Sequence, residues 1–305
     1  MDDAPLPTLT SEVPPLPPRP PTTHKGQAGR VAIVAGSRGM SGAAVLSALG
    51  ALRGGAGLVR VCCPRSIQPI VAASEPCLMS VALDEDPEGR IAFDSAIRQI
   101  DLDWPTVLAV GPGLGQGRSL ADLVRHLLVN FPGPIVIDAD GLNNLATACP
   151  AEIWTVRAGR QTIITPHPGE MARLRQAANL PLIGGDDDDT RLKVAHEYAR
   201  LTGLTVVLKG YHTVVCTPEL AYVNQTGNPG MATGGMGDVL TGLLAALFAQ
   251  GLTAFDAARL GVYCHGLAAD HCKRQIGPVG YLARDVATEL PAALAEASRP
   301  HIGFK

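Results

Sequence analysis

Basic residues are not in excess in this chain of 305 residues: 25 Lys and Arg stand against 28 Asp and Glu, for a formal charge of −3. Without surplus positive charge the chain cannot neutralise many phosphates, so no nucleic-acid partner is expected. The first thirty residues lack the apolar core of a signal peptide, and the longest apolar stretches, such as 239–249, are too short to cross a bilayer. No membrane partner is expected either. A disulfide framework is missing too: the seven cysteines are odd in number and scattered, with Cys62 and Cys63 adjacent, which fits a reducing cytoplasm. Aromatic residues make up 4% of the chain against 34 glycines, a balance that suggests many tight turns between strands and helices. The hydrophobic share of 46% is that of a globular chain with a sizeable core.

Residues 1–24 differ in kind, because Pro14, Pro15, Pro17, Pro18, Pro20 and Pro21 favour extended polyproline backbone. They read as a disordered tail, open to docking in a proline-binding groove, and leave 25–305 as a single domain. Within that domain short apolar runs at 31–35, 58–63, 107–110, 135–138, 163–165 and 205–209 alternate with helical segments at 42–53, 118–129, 168–177 and 190–201. Three further helices are expected at 237–250, 254–272 and 283–297. Strands apolar on both faces and separated by helices imply an α/β fold, a mostly parallel central sheet with helices on both faces. Ligands of such sheets bind at the carboxyl ends of the strands.

The informative residues gather at those ends. Gly36 to Ala44 and Gly111 to Gly115 are glycine-rich turns that admit either an anion or close helix packing. Asn228 to Asp238, with Gly230, Gly234, Gly235 and Gly237, precedes an apolar helix; its amides and the helix dipole would converge on a phosphate. Asp238 lies in the first turn, where it is expected to be held ionised, as a helix cap or as a general base. Pro166 and Pro168 fix a loop that presents His167 outward. Lys209 ends a strand, free to pair a structural carboxylate or a nucleotide phosphate.

Other polar clusters carry less. The acidic run from Asp186 to Asp189 lacks calcium-loop spacing and suits a helix start. Cys264, His265, His271 and Cys272 share a helix, but same-face pairs seven residues apart lie about 10.5 Å from each other, too far for one zinc ion. Asp138 and Asp140 read as the end of a strand, candidates to reach a nucleotide-borne Mg²⁺ through water.

Gly234 to Asp238 with the helix behind them resemble the catalytic loop of the ribokinase-like superfamily, a three-layer sandwich. The ordered set narrows this to the ADP-dependent NAD(P)H-hydrate dehydratases. It comprises Gly42 to Leu46 running into Leu52 to Val59, Gly111 to Gly115, Asp138 to Asn143, Thr165 to Glu170, Lys209 to Thr213, and Asn228 to Gly242. The resemblance runs from about residue 25 to 290. It implies that (6S)-NADHX and NADPHX, the hydrated dinucleotides, are phosphorylated on the ring hydroxyl and lose phosphate, with ADP becoming AMP and ATP as an alternative donor. It implies catalytic roles for Asp238, Gly237 and Gly235, and substrate contacts at Ala43, Gly113, His167 and Asp238. Nucleotide contacts fall on Lys209, Gly210, Tyr211, His212, Thr213 and Gly237, with Mg²⁺ screening the phosphates. A homo-oligomer, commonly a tetramer, and an epimerase on a separate chain are also implied, since residues 1–24 cannot contain one. Two rivals remain: a kinase of the same superfamily acting on a vitamin-precursor alcohol, and a catalytically silent nucleotide sensor.

Overall fold

The computed structural model describes residues 6–148, 151–185 and 187–299. Its elements are, in chain order, β1 (Thr8–Leu9), β2 (Arg30–Val34), α1 (Ser41–Arg53), β3 (Leu58–Pro64), α2 (Gln68–Ser74), β4 (Met79–Leu83), α3 (Phe93–Gln99), β5 (Val107–Val110), α4 (Arg118–Asn130), β6 (Ile135–Ile137), α5 (Ala139–Ala148), β7 (Thr162–Ile164), α6 (Pro168–Ala177), α7 (Asp188–Thr202), β8 (Thr205–Leu208), β9 (Val214–Cys216), β10 (Leu220–Val223), α8 (Met236–Ala249), α9 (Ala254–Gln275) and α10 (Ala283–Ala297). Alternation at period two splits the strand side chains between two cores. Val31 and Ile33 face one core and Ala32 and Val34 the other, as do Val107 and Ala109 against Leu108 and Val110. Helices α1, α2, α8, α9 and α10 cover the first face, and α3 to α7 the second, giving three layers.

Among the described residues ten strands form one sheet in the order β1-β10-β9-β8-β7-β6-β5-β2-β3-β4. Only β9 runs against its neighbours, antiparallel to β8 and β10. The chain lays β3 and β4 to one side of β2 and then crosses to the other side with β5. The loops leaving β2 and β5 therefore diverge, and the crevice between them is where such sheets bind ligands.

Helix α8 reaches that crevice because it can lie against α1 backbone to backbone. A Cβ on Gly242 would stand 1.8 Å from the Ser47 carbonyl oxygen, and one on Gly50 would stand 2.2 Å from that of Val239. Two glycines facing one another thus set the depth of the helix that carries Asp238.

Two expectations need correction. Residues 6–24 are not outside the fold; residues 1–5 lie outside the described residues. Thr8 and Thr10 donate backbone hydrogen bonds to Glu219 and Ala221 at 2.8 and 2.9 Å, so β1 extends the sheet beside β10. Val13 and Leu16 pack on the core, and Arg19 reaches Gln250 Oε1 at 2.7 Å. Extended backbone suits an open sheet edge, and no proline occupies either of the two paired positions. Nor do Asp138 and Asp140 end one strand. The chain turns at Ala139, whose φ is +49°, and Asp140 belongs to the first turn of α5. Among the described residues no helix is long and apolar enough to cross a membrane.

Candidate active site

Gly235, with φ +90°, caps α8 and lets the chain enter the helix with its first amides unobstructed. Asp238 follows in the first turn. Burial raises its pKa, the Asp138 carboxylate raises it further, Lys209 lowers it, and the balance stands at about 7. The expected fully ionised cap is thus corrected: desolvation and like charge outweigh the helix dipole.

Below Asp238 lies a buried ion pair. Lys209, from the end of β8, donates to Asp138 Oδ1 at 2.6 Å and stands 3.7 Å from Glu170 Oε2. Thr241, one turn along α8 from Gly237, donates to Asp138 Oδ2 at 2.7 Å. Burial alone would lower Lys209, but Asp138 and Glu170 reverse this and raise it, so the ammonium stays charged. A Cβ on Gly237 would lie 3.4 Å from Lys209 Nζ, so its absence leaves the pair open toward the glycine loop.

Glu170 links this pair to His167. Its carboxylate accepts the His167 backbone amide at 2.7 Å, while His167 Nδ1 accepts the amides of Gly169 and Glu170 at 3.0 and 3.4 Å. This capping box starts α6 and leaves the ring proton on Nε2, with the side chain 50% exposed. The acid three residues after His167 was the sequence signal for it. On the other side of the crevice, Gly36 donates to Pro112 O at 2.8 Å and Ser37 Oγ to Gly113 O at 2.8 Å. Gly113 lies so close to Ala43 that an added Cβ would be 2.8 Å from the alanine methyl.

The loop from Gly210 to Thr213 extends outward from Lys209. Tyr211 is 78% exposed and stacks on His212, ring centroids 3.9 Å apart. His212 Nδ1 meets Asp188 Oδ2 at 2.8 Å, and buried Arg191 holds the carbonyls of Tyr211 and Leu208 at 2.7 and 3.0 Å. The acidic run, of which Asp186 lies outside the described residues, therefore helps position this loop. Sequence reasoning did not assign Arg191 a role, because only the tertiary fold brings α7 beneath the loop.

A second clamp holds the approach to the glycines. Asp270 on α9 accepts Gly227 N at 3.0 Å and Asn228 Nδ2 at 2.8 Å, while Asn228 Oδ1 accepts Tyr281 OH at 2.7 Å. His265 is buried against the Met236 backbone, and burial lowers it to about 4. His271 lies between Glu289 and Glu296 of α10, at 3.4 and 3.2 Å. Among the described residues no group of three His, Cys, Asp or Glu is placed to hold a metal ion.

A three-layer sandwich with a glycine-capped, carboxylate-bearing helix at the switch point of its sheet defines a ribokinase-like protein. The chain belongs to the NAD(P)H-hydrate dehydratase family, which matches residues 31–292. It is 43% identical over 251 residues to the bifunctional NAD(P)H-hydrate repair enzyme Nnr of Moorella thermoacetica, covering 82% of this chain and 46% of that one. The chain thus spans about half the length of the bifunctional relatives it matches. It is 33% identical to the ADP-dependent (S)-NAD(P)H-hydrate dehydratase of Xanthomonas campestris pv. campestris, covering 82% of each chain. The crystal structure of ADP/ATP-dependent NAD(P)H-hydrate dehydratase from Bacillus subtilis, co-crystallised with ATP and Mg²⁺, superposes with a TM-score of 0.75 at 28% identity, over 93% of this chain and 95% of that one.

Proposed function

We propose that this chain returns hydrated NADH and NADPH to the normal dinucleotides, with ADP giving up its terminal phosphate. The observation that carries the reading is one juxtaposition. Asp238, poised near neutrality at a glycine-opened helix end, stands beside Lys209 at the crevice that Ala43 and Gly113 border from the other side. The names of the Xanthomonas and Bacillus relatives support the substrate and the donor.

Asp238 takes the proton of the ring hydroxyl, and the freed oxygen attacks the terminal phosphorus of ADP. The bond to the AMP oxygen breaks, while Gly235, Gly237 and the positive end of α8 stabilise the charge on the transferring group. Phosphate is a far better leaving group than hydroxide. The ring-nitrogen lone pair expels it, and loss of a proton from the neighbouring carbon restores the double bond. The sum is hydrate plus ADP giving dihydronicotinamide, AMP, phosphate and a proton. Lys209 to Thr213 with Gly237 hold the nucleotide in this reading, and Ala43, Gly113 and His167 hold the hydrate.

The donor set fits magnesium that arrives on the nucleotide, since that ion takes one or two carboxylates with phosphates and water. Asp138 and Asp140 would reach it through its water shell, because Lys209 and Thr241 hold the Asp138 oxygens and Gly115, Gln116 and Asn143 those of Asp140, and when bound it would screen the phosphate charge. ATP is the alternative donor. Six free cysteines among the described residues support a reducing, cytoplasmic setting. Assembly as a tetramer, checked by light scattering, and linkage to a second repair activity belong to the same reading.

The test mixes purified chain with hydrated NADPH, Mg²⁺ and either ADP or ATP, and follows the near-ultraviolet absorbance of the dihydronicotinamide beside Asp238→Asn. A nucleotide-dependent rise that the variant loses supports the reading and settles the donor. No rise from folded protein sinks it, and a phosphorylated alcohol accumulating instead identifies the kinase.

A further inference from the structure

A hydrated dinucleotide carries a diphosphate, and in its NADPH form one phosphate more, so its binding face needs a cation that is not already neutralised. Most cations near the crevice are. Arg38 lies 3.4 Å from Glu85 and donates to Pro87 O at 3.3 Å. Arg90 is held by Asp86 at 2.8 Å, by Glu88 at 3.2 Å and by Gln116 O at 3.1 Å. Lys209 is paired with Asp138 at 2.6 Å.

Arg173 is differently placed. It is exposed on the second turn of α6, and its Nε donates to Asn143 Oδ1, a neutral oxygen, at 2.9 Å. No carboxylate among the described residues lies within 4.0 Å of its guanidinium. Asn143 is buried and reaches Asp140 Oδ1 at 3.4 Å, while Asp140 already accepts Gly115 N at 2.9 Å and Gln116 Nε2 at 3.1 Å. Asn143 therefore orients the arginine without cancelling its charge. The guanidinium folds back along α6 toward His167. A Cβ added at Gly169 would meet the His167 ring at 2.9 Å and Arg173 Nη1 at 4.0 Å, so both side chains border the same hollow.

We propose that Arg173 is a specificity-determining residue that receives a phosphoryl group of the dinucleotide substrate on its Nη1 and Nη2 hydrogens, an inference that rests on the dehydratase reading. A planar fork fixed through Nε presents its remaining donors in the geometry that phosphate oxygens accept. The contact lies away from the reacting hydroxyl and is made equally before and during reaction, so it acts on KM rather than on kcat. Two phosphates share this chemistry: the diphosphate common to both hydrates and the 2′-phosphate of the NADPH form.

Steady-state kinetics of the full chain, Arg173→Gln and Arg173→Lys with each hydrate at saturating ADP distinguish them. Arg173→Gln is expected to raise KM about tenfold to a hundredfold while kcat and the KM for ADP stay near wild type; Arg173→Lys recovers part of the loss. An equal rise for both hydrates identifies the diphosphate, and a rise confined to hydrated NADPH the 2′-phosphate. A folded Arg173→Gln whose KM for both hydrates stays within about twofold of wild type overturns the proposal, as does a loss confined to kcat. Binding of the products NADH and NADPH, read from their fluorescence without ADP, separates the two levels of inference. Product binding weakened by Arg173→Gln in a chain without turnover sinks the dehydratase reading and keeps the contact. Turnover with unweakened binding does the reverse, and absence of both turnover and binding sinks both.

Discussion

Because burial and the Asp138 carboxylate push Asp238 up to about 7, only about half of the molecules at neutral pH hold it ionised. As a general base it must be ionised, so kcat/KM is expected to rise with pH and level off above about 7, a profile that stopped-assay rates between pH 5 and 9 would trace. The same shift works against the fold. A carboxyl whose folded pKa lies above its unfolded value contributes stability fully below the unfolded value, near 4, and loses it as pH rises through about 7. Asp238→Asn removes that cost, on the order of 1–4 kcal/mol at pH 8. Thermal melts should show the variant more stable than wild type at pH 8, the gap closing toward pH 4, while activity falls about 10²- to 10⁴-fold. Gly235→Ala makes a different point: at φ +90° an alanine is strained, and its methyl would stand 2.4 Å from Leu46 Cδ1. Loss of about 10²-fold in kcat is expected as the amides turn away from the transferring phosphoryl group.

Elements carry the site by being placed, and two contacts do most of the placing. The α1 and α8 backbones meet at Gly50 and Gly242. Gly242→Ala puts a methyl into the Ser47 carbonyl, separates the helix of Ala43 from that of Asp238, and should cost about 1–3 kcal/mol. A lowered melting temperature together with a lowered kcat would show it; a lowered melting temperature with full activity would show that the crossing sets stability alone. The loop ahead of α8 hangs on Asp270, which binds Gly227 and Asn228. Asp270→Ala is expected to reduce kcat about tenfold or more through misplacement of the glycines, with Asp270→Asn retaining part of the activity.

At the scale of the whole molecule, the strap of residues 6–19 closes one edge of the sheet and crosses to Gln250, beyond the far end of α8 and about 20 Å from Asp238. Its deletion should lower the melting temperature by several degrees and leave kcat near wild type, checked by calorimetry beside the turnover assay. How far the sequence foretold the fold follows from where the information resides. β2, β3, β5, β6, β7 and β8 were legible because strands covered on both faces are apolar throughout. β4, β9 and β10 were not: they are set toward the sheet's edges, and β4 and β10 are only partly buried, so their residues do not form the unbroken apolar run of a central strand. The turn at Ala139 left no mark, since nothing local forecasts a positive φ in an alanine. The family resemblance named Asp238 and Lys209 in advance. That Lys209 is locked to Asp138 and Glu170, and that burial and the Asp138 carboxylate raise Asp238, depends on residues brought together from the ends of β6 and β8 and the first turns of α6 and α8.

The strap also has an order in time. β1 is synthesised ahead of every other strand of the sheet, yet its pairing partner, Leu220–Val223, is the last of the described strands to be made. The sheet must therefore grow outward from β2 while β1 waits unpaired, and the seal at that edge forms only once Leu220–Val223 has been synthesised. A nascent chain stalled before residue 220 would leave the segment open to protease, and one released after residue 223 would protect it.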